Sequence, residues 1–190
     1  GTVLVAAGPE FGAVDSLYRS PLAEILPVAP TAQVVEEGFR PALTDLGRRH
    51  PVTEGLEADA PEGGWGRWFR AIEVDLLDGQ VLMTGPRDLR LLVLNRVDHG
   101  RVAVLASDHA WLWGRGYEGG GPQLELLRRL AHWMLKEPEL EEETLTASVT
   151  GQARTITGRS MQDDPPGPVT VVGPDAAEVV LEMPEVGPGK

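Results

Sequence analysis

The sequence contains no cysteine. Disulfides, thiolate metal sites and thiol nucleophiles are all excluded by that one absence. Lysine is almost missing as well: two Lys stand against fifteen Arg, a bias that points to a GC-rich genome more than to a function. No apolar run approaches the roughly 18 residues that a membrane helix requires, and no secretory leader is visible. Bases are few beside acids, and the net charge is −12. Such a surface repels phosphate backbones and anionic lipid headgroups, so nucleic acid is not an expected partner. The four histidines show no His-x-His or His-Glu-x-x-His spacing, there is no Gly-x-Ser-x-Gly elbow, and no Gly-rich loop carries the Lys and Ser/Thr of a nucleotide site. No metal site and no cofactor are expected.

What is present fits a folded protein. Apolar residues make up 42% and charged residues 24% of 190 residues, enough for one ordinary domain and a small one. Gly1 is followed at once by the strand-like Thr2-Val3-Leu4-Val5, and the far end closes on Val186-Gly187-Pro188-Gly189-Lys190 without a structural terminator. The chain therefore reads as a piece of a longer protein, with any signal or membrane segment outside it. Charge divides unevenly. Residues 1–137 hold 19 acids and 14 bases, whereas residues 138–190 hold 10 acids and 3 bases. The acidic run Glu139 to Glu143 reads as a linker between a domain over 1–143 and a module over 144–190.

In the first domain, Thr2 to Ala7 is a strand ended by Gly8-Pro9, and Ser20-Pro21 opens a helical turn, with Ser as cap and Pro at the first position. Runs at 71–77, 80–84, 89–97 and 101–107 read as strands, the last two joined as a hairpin at Asp98-His99-Gly100. Their near-continuous apolar character suits a sheet covered on both faces. The clearest helix starts at Gly121-Pro122 and ends before Pro138, with Leu124, Leu127, Ala131 and Met134 on one face, widened by Leu130 and Leu135. Beyond Thr144, four short β runs at 145–150, 154–159, 169–172 and 178–183 are separated by Gly151-Gln152, Asp164-Pro165-Pro166-Gly167 and Gly173-Pro174-Asp175. That texture predicts an incomplete antiparallel β-sandwich, immunoglobulin-like in kind.

Several segments in order resemble one family. They are residues 2–12 (Thr2-Val3-Leu4-Val5-Ala6-Ala7-Gly8-Pro9-Glu10-Phe11-Gly12), residues 20–28, His50-Pro51-Val52-Thr53, residues 100–105, Ser107-Asp108-His109-Ala110-Trp111-Leu112-Trp113, and His132-Trp133-Met134-Leu135-Lys136-Glu137-Pro138. Together they resemble the glutamine-amidotransferase-like domains of bacterial membrane-anchored proteins, which carry no assigned activity. The resemblance implies a class I, flavodoxin-like α/β fold: a mostly parallel sheet with helices on both faces, whose upstream strands lie outside this chain. It also implies a membrane-anchored parent protein and a periplasmic position in the cell envelope, a cytoplasmic one remaining open.

In that family the turn after a strand such as Val3 to Ala7 carries the nucleophile. A thiolate there attacks the glutamine side-chain amide while a His takes the proton. Here the turn is Ala7-Gly8-Pro9-Glu10, with neither thiol nor hydroxyl. No catalytic residue is therefore assigned, and a non-catalytic binding or scaffold domain is expected, its partner a protein or a small ligand. The densest cluster of polar and aromatic groups is Asp108, His109, Trp111, Trp113, Arg115, Tyr117 and Glu118, directly after a strand. One reading makes it a ligand pocket at a strand end, with aromatic walls and polar handles. A structural reading has Trp111 and Trp113 plugging the sheet end and Asp108 capping the loop. A third has the cluster serving an uncharacterised hydrolase or transferase, His109 and Glu118 acting as acid and base. If the strands before the two loops run parallel, the cluster lies at the same sheet edge as the Ala7-Gly8-Pro9 turn. Trp65 and Trp68 sit in a Gly-rich stretch and form either an exposed partner patch or a lid folded over the core.

Overall fold

Two short connections decide the topology. A computed structural model describes residues 1–13, 16–151, 153–162, 167–173 and 176–186. The first unit, Gly1–Leu140, contains strands β1 (Thr2–Ala6), β2 (Val28–Val35) and β3 (Ala42–Leu43), helix α1 (Asp45–Arg49), strands β4 (Ala71–Leu76), β5 (Gln80–Thr84), β6 (Arg90–Val97) and β7 (Gly100–Leu105), and helices α2 (Trp111–Gly114) and α3 (Gln123–Met134). Only Asp98 and His99 separate β6 from β7, and the single turn over residues 85–89 separates β5 from β6. Connections this short permit antiparallel pairing alone, since a parallel pair needs a crossover of a dozen residues or more. The five-stranded sheet accordingly has the order β1-β7-β6-β5-β3, in which only β1 and β7 run parallel.

The flavodoxin-like expectation is thereby corrected. The sheet is mixed and mainly antiparallel, and two of the three α-helices among the described residues are only four and five residues long. The apolar runs misled because both faces of this sheet are in fact covered, as parallel sheets are, although its strands are hairpin-linked. On one face Val5, Ala7, Val93, Val102 and Val104 pack with Phe11, Leu26, Val28, Ile72 and Val74. The short 3₁₀ turns at Pro9–Gly12 and Pro21–Ile25 and the separate β2–β4 ladder supply that cover. Ser20 caps the second of these turns, its hydroxyl accepting from the Leu22 N–H.

The other face carries Leu82, Met83, Leu92, Leu94, Ala103 and Leu105 against α3, Val52, Leu56 and a cluster of tryptophans. Helix α3 presents Leu126, Leu130 and Trp133 to this core, spaced i, i+4, i+7. Of the face expected from Leu124, Leu127, Ala131 and Met134, the first three are exposed, Leu124 to 83%, whereas Met134 packs against the core and Leu130, expected to widen that face, is fully buried. Leucines lie on both sides of this helix, and Trp133 settles which side is buried. Its ring lies 4.9 Å from the guanidinium of Arg101 on β7, which also donates to the Trp133 carbonyl oxygen. Helix α1 is seated through Thr44, whose hydroxyl accepts from the Gly47 N–H and donates to the Val81 carbonyl at 2.8 Å.

The second unit, 141–190, holds β8 (Thr144–Thr150), β9 (Ala153–Arg159), β10 (Val169–Val172) and β11 (Glu178–Leu181). They form two separate antiparallel ladders, β8–β9 and β10–β11. The expected sandwich-like module is corrected to a pair of two-stranded hairpins. Beyond Thr144, every residue of β8 is exposed, so that strand offers no inner face to a second sheet. The turn residues 152, 164–166 and 174–175 and the terminal segment 187–190 read in the sequence lie outside the described residues.

Candidate functional site

Strands β1 and β7 run parallel with Thr2 opposite Arg101 and Ala6 opposite Leu105, so both chains leave the sheet on the same side. The pairing extends one residue further, the Ala7 N–H donating to the Leu105 carbonyl at 2.8 Å. Gly8 then opens the turn at Pro9–Gly12. Beyond β7 the chain runs through Ala106, Ser107 and Asp108. A third segment joins them: the Ile72 N–H donates to the Ala106 carbonyl at 2.9 Å, which brings Phe69 and Arg70 alongside.

Buried Ser107 fastens these segments. Its hydroxyl donates to the Arg70 carbonyl at 2.7 Å and accepts the His109 N–H at 3.1 Å. The His109 ring is held from the other side, because the Phe69 N–H donates to Nδ1 at 3.2 Å. Nε2 of that ring stands 3.8 Å from Asp108 Oδ1. The other oxygen, Oδ2, pairs with Arg70 Nη1 at 3.1 Å, and Arg70 reaches Glu36 Oε1 at 3.2 Å. Oδ1 is buried and has no hydrogen-bond partner among the described residues, which leaves an acceptor unused at this edge.

Gly8 lies beside two carboxylates. A Cβ at that position would lie 3.0 Å from Glu10 Oε2 and 3.6 Å from Asp108 Oδ2. Trp111 completes the edge on the open side, 53% exposed, its ring centroid 6.4 Å from that of His109. Asp108, His109 and Trp111 thus stand together at the end of β7, beside the Ala7-Gly8-Pro9 turn.

The other four residues of the sequence cluster lie elsewhere. Trp113 is in the core, its indole N–H donating to the Gly66 carbonyl at 2.7 Å and its ring 4.6 Å from Trp68 and 5.0 Å from Trp65. Those two tryptophans are buried, so the reading of Trp65 and Trp68 as an exposed patch is corrected: Arg40, Trp113 and the Gly66 backbone draw them inward. Tyr117 packs edge-on against Phe69, centroids 5.7 Å apart. Glu118 is tied to Arg67, whose Nε donates to Oε2 at 2.9 Å and whose backbone N–H donates to the same oxygen at 3.3 Å. This hydrogen-bonded pair holds the Glu118 carboxyl well below its ordinary range, at about 2. Arg115 is exposed.

Sequence reasoning missed Arg70, Glu36 and Ser107. Arg70 and Glu36 come from distant segments with no motif around them; the β2–β4 ladder brings them together and the Ile72–Ala106 hydrogen bond sets them beside Asp108. A separate groove of about 430 Å³ lies between Leu56, Pro61, Trp65, Gly121, Leu124 and Arg129, and none of the seven residues read from the sequence lines it. Among the described residues, no three His, Asp or Glu side chains converge as a metal site would require.

The first unit is thus a mixed, mainly antiparallel sheet with one longer helix packed on it, and its polar edge lies at the parallel β1–β7 pair. No family model matches the chain, and no curated protein does. Among solved structures, it is similar to the cytoplasmic protein STM1381 from Salmonella typhimurium LT2, with 23% identity and a TM-score of 0.57 over 70% of this chain and 55% of that one. It is similar to the same degree to the cytoplasmic protein STM3548 from Salmonella typhimurium, with 22% identity, a TM-score of 0.57 and the same two coverages. The chain therefore spans a little over half the length of these neighbours, and the likeness is one of fold. No described helix is long and apolar enough to cross a membrane.

Proposed function

We propose that the first unit is a non-catalytic binding domain, and that its ligand docks at the edge formed by Gly8, Asp108, His109 and Trp111. The observation that carries this is the turn facing Asp108 and His109: Ala7-Gly8-Pro9-Glu10 offers neither a thiol nor a hydroxyl. The nearby groups that could take part in chemistry are engaged in holding loops. Ser107 is buried between two backbone groups, and His109 Nδ1 is filled by the Phe69 amide. Glu118, the acid/base partner conceivable from sequence, is bound to Arg67 instead.

The chemistry of the edge favours a cationic or hydrogen-bond-donating ligand. Glu36 and Asp108 pair with the Arg70 guanidinium, Glu10 adds a third carboxylate beside Gly8, and the exposed Trp111 face suits an ammonium or guanidinium group. The location in the envelope rests on the resemblance to membrane-anchored proteins alone; the two Salmonella proteins are named cytoplasmic.

Two measurements test the reading. Incubation with glutamine is expected to release no ammonia above a buffer blank. A thermal-shift series of amines, guanidines and carboxylates is expected to show stabilisation by cations only, lost in Asp108→Asn. Ammonia release abolished by His109→Ala would overturn the non-catalytic reading. Stabilisation by carboxylates that survives Asp108→Asn would overturn the edge as its site.

A further inference from the structure

One cation already sits at the candidate edge, and it belongs to the chain itself. Arg70 Nη1 donates to Asp108 Oδ2 at 3.1 Å, while its Nε and Nη2 donate to Glu36 Oε1 at 3.3 and 3.2 Å. Two of these bonds go to Glu36 and one to Asp108. The Glu36 pair is set by the β2–β4 ladder. Val35 lies opposite Ala71 in that antiparallel ladder, so the next two residues, Glu36 and Arg70, face each other across its end. Opposite charges placed directly across a ladder attract. The Arg70 backbone is fixed from another side, its carbonyl accepting from the Ser107 hydroxyl at 2.7 Å.

The single bond to Asp108 stands where a ligand would have to bind. Asp108 Oδ1 is buried, so an incoming cation meets this carboxylate at Oδ2, the oxygen that Arg70 holds. The three side chains are partly in solvent, Arg70 to 27%, Asp108 to 37% and Glu36 to 66%. Ion pairs this exposed contribute little to stability, so the Arg70–Asp108 contact is readily exchanged. Glu36 eases that exchange, because Arg70 keeps two donors on its carboxylate after leaving Asp108.

We propose that Arg70 is a built-in competitor for the edge, latched on Asp108 in the free domain and drawn back onto Glu36 when a cationic ligand binds. The proposal rests on the reading of this edge as a cation site. Binding exchanges one hydrogen bond for another: Nη1 leaves Asp108 Oδ2, and an N–H of the ligand takes its place. Glu36 then promotes binding without touching the ligand, by holding the arginine that has moved aside. Arg70 opposes binding through one contact, and removing Glu36 tightens that contact. The two residues act as a unit, so their effects on affinity do not add. Two charges acting only through their fields would each contribute independently of the other.

Butylammonium chloride serves as the probe, one ammonium with an alkyl chain for the Trp111 face. It is titrated into the 190-residue chain at fixed ionic strength and followed by the NMR signals of the His109 amide and the Trp111 indole N–H. Arg70→Gln is expected to tighten binding of the probe about two- to fivefold, the contribution of one exposed ion pair. Glu36→Gln is expected to weaken it by a similar factor. In the Arg70→Gln background, Glu36→Gln is expected to have no further effect, since no arginine is left to release. Should Arg70→Gln fail to fold by circular dichroism, Arg70→Met serves in its place. The same effect of Glu36→Gln in both backgrounds overturns the latch, as does binding unchanged by Arg70→Gln; the edge survives either result as a cation site. If butylammonium moves neither signal in any of these proteins, the cation site itself falls, and the latch with it.

Discussion

Two tryptophans two positions apart in the sequence have opposite circumstances. Trp113 touches Trp65 and Trp68, donates its indole N–H to the Gly66 carbonyl, and has Gly121 pressed so close that a Cβ there would strike its ring. Replacing it with alanine leaves a large cavity and a buried carbonyl without its donor. Trp113→Ala is therefore expected to destabilise the first unit by about 3–5 kcal/mol, read as a shift in urea midpoint. Trp111 stands half in solvent beside His109, and Trp111→Ala is expected to change stability by less than about 0.5 kcal/mol while weakening any cation bound at the edge. Equal losses from the two substitutions would contradict this assignment of roles. Nothing in the sequence Asp108-His109-Ala110-Trp111-Leu112-Trp113 distinguishes the two indoles. The difference comes from Gly66, which has no side chain to collide with the Tyr117 carbonyl and so lets the loop lie against Trp113.

At the scale of elements, the Arg67–Glu118 pair joins two loops that hold the tryptophans between them. The Glu118 carboxyl, held at about 2 by its hydrogen bonds to Arg67, is depressed below its ordinary value. The sign follows: the pair contributes its full stability above about pH 4.5 and loses it as pH falls toward 2. Glu118→Gln is expected to flatten the urea-midpoint curve of the protein between those values, leaving a residual slope. That slope includes Glu125, which Arg128 and Arg129 hold at about 2 in the same way. An unchanged curve in Glu118→Gln would show that the clamp is not formed in solution. Elements of this unit were legible wherever local signals set them: the hairpin turn at Asp98-His99, the Ser20 cap, and the start of α3 at Gly121-Pro122. The way strands pair was not, because an apolar run covered on both sides reads alike in parallel and antiparallel sheets. The inward face of α3 was hidden for a similar reason, with leucines at 124, 126, 127 and 130 on both sides of the helix and the choice made by Trp133 against Arg101. At the candidate site, Asp108, His109 and Trp111 could be read as neighbours of one strand end, whereas Glu36 and Arg70 arrive through a ladder between distant segments.

Across the whole molecule the two units differ in how firmly their backbones are enclosed. Strands β6 and β7 are largely buried and lie within a five-stranded sheet, whereas β8 and β11 are almost wholly exposed in two-stranded ladders. Isolated two-stranded hairpins are marginal in water. Native-state hydrogen exchange is therefore expected to find amides of β6, β7 and α3 protected to near the global stability, and those of β8–β11 exchanging at least a hundredfold faster. Uniform protection over both units would overturn this expectation.

The parallel pairing of Thr2 with Arg101 bears on the order of assembly. Every other pairing in the five-stranded sheet joins segments much closer along the chain, and β6–β7 needs only a two-residue turn. Bringing β1 to β7 closes a loop of nearly one hundred residues, whose entropy must be met before any of that ladder's bonds form. The β5–β6–β7 meander can therefore assemble while β1 is still unattached. The edge that gathers Gly8, Asp108 and His109 therefore exists only once this long-range closure has been made, so its integrity depends on the contact of the sheet that is most costly in chain entropy.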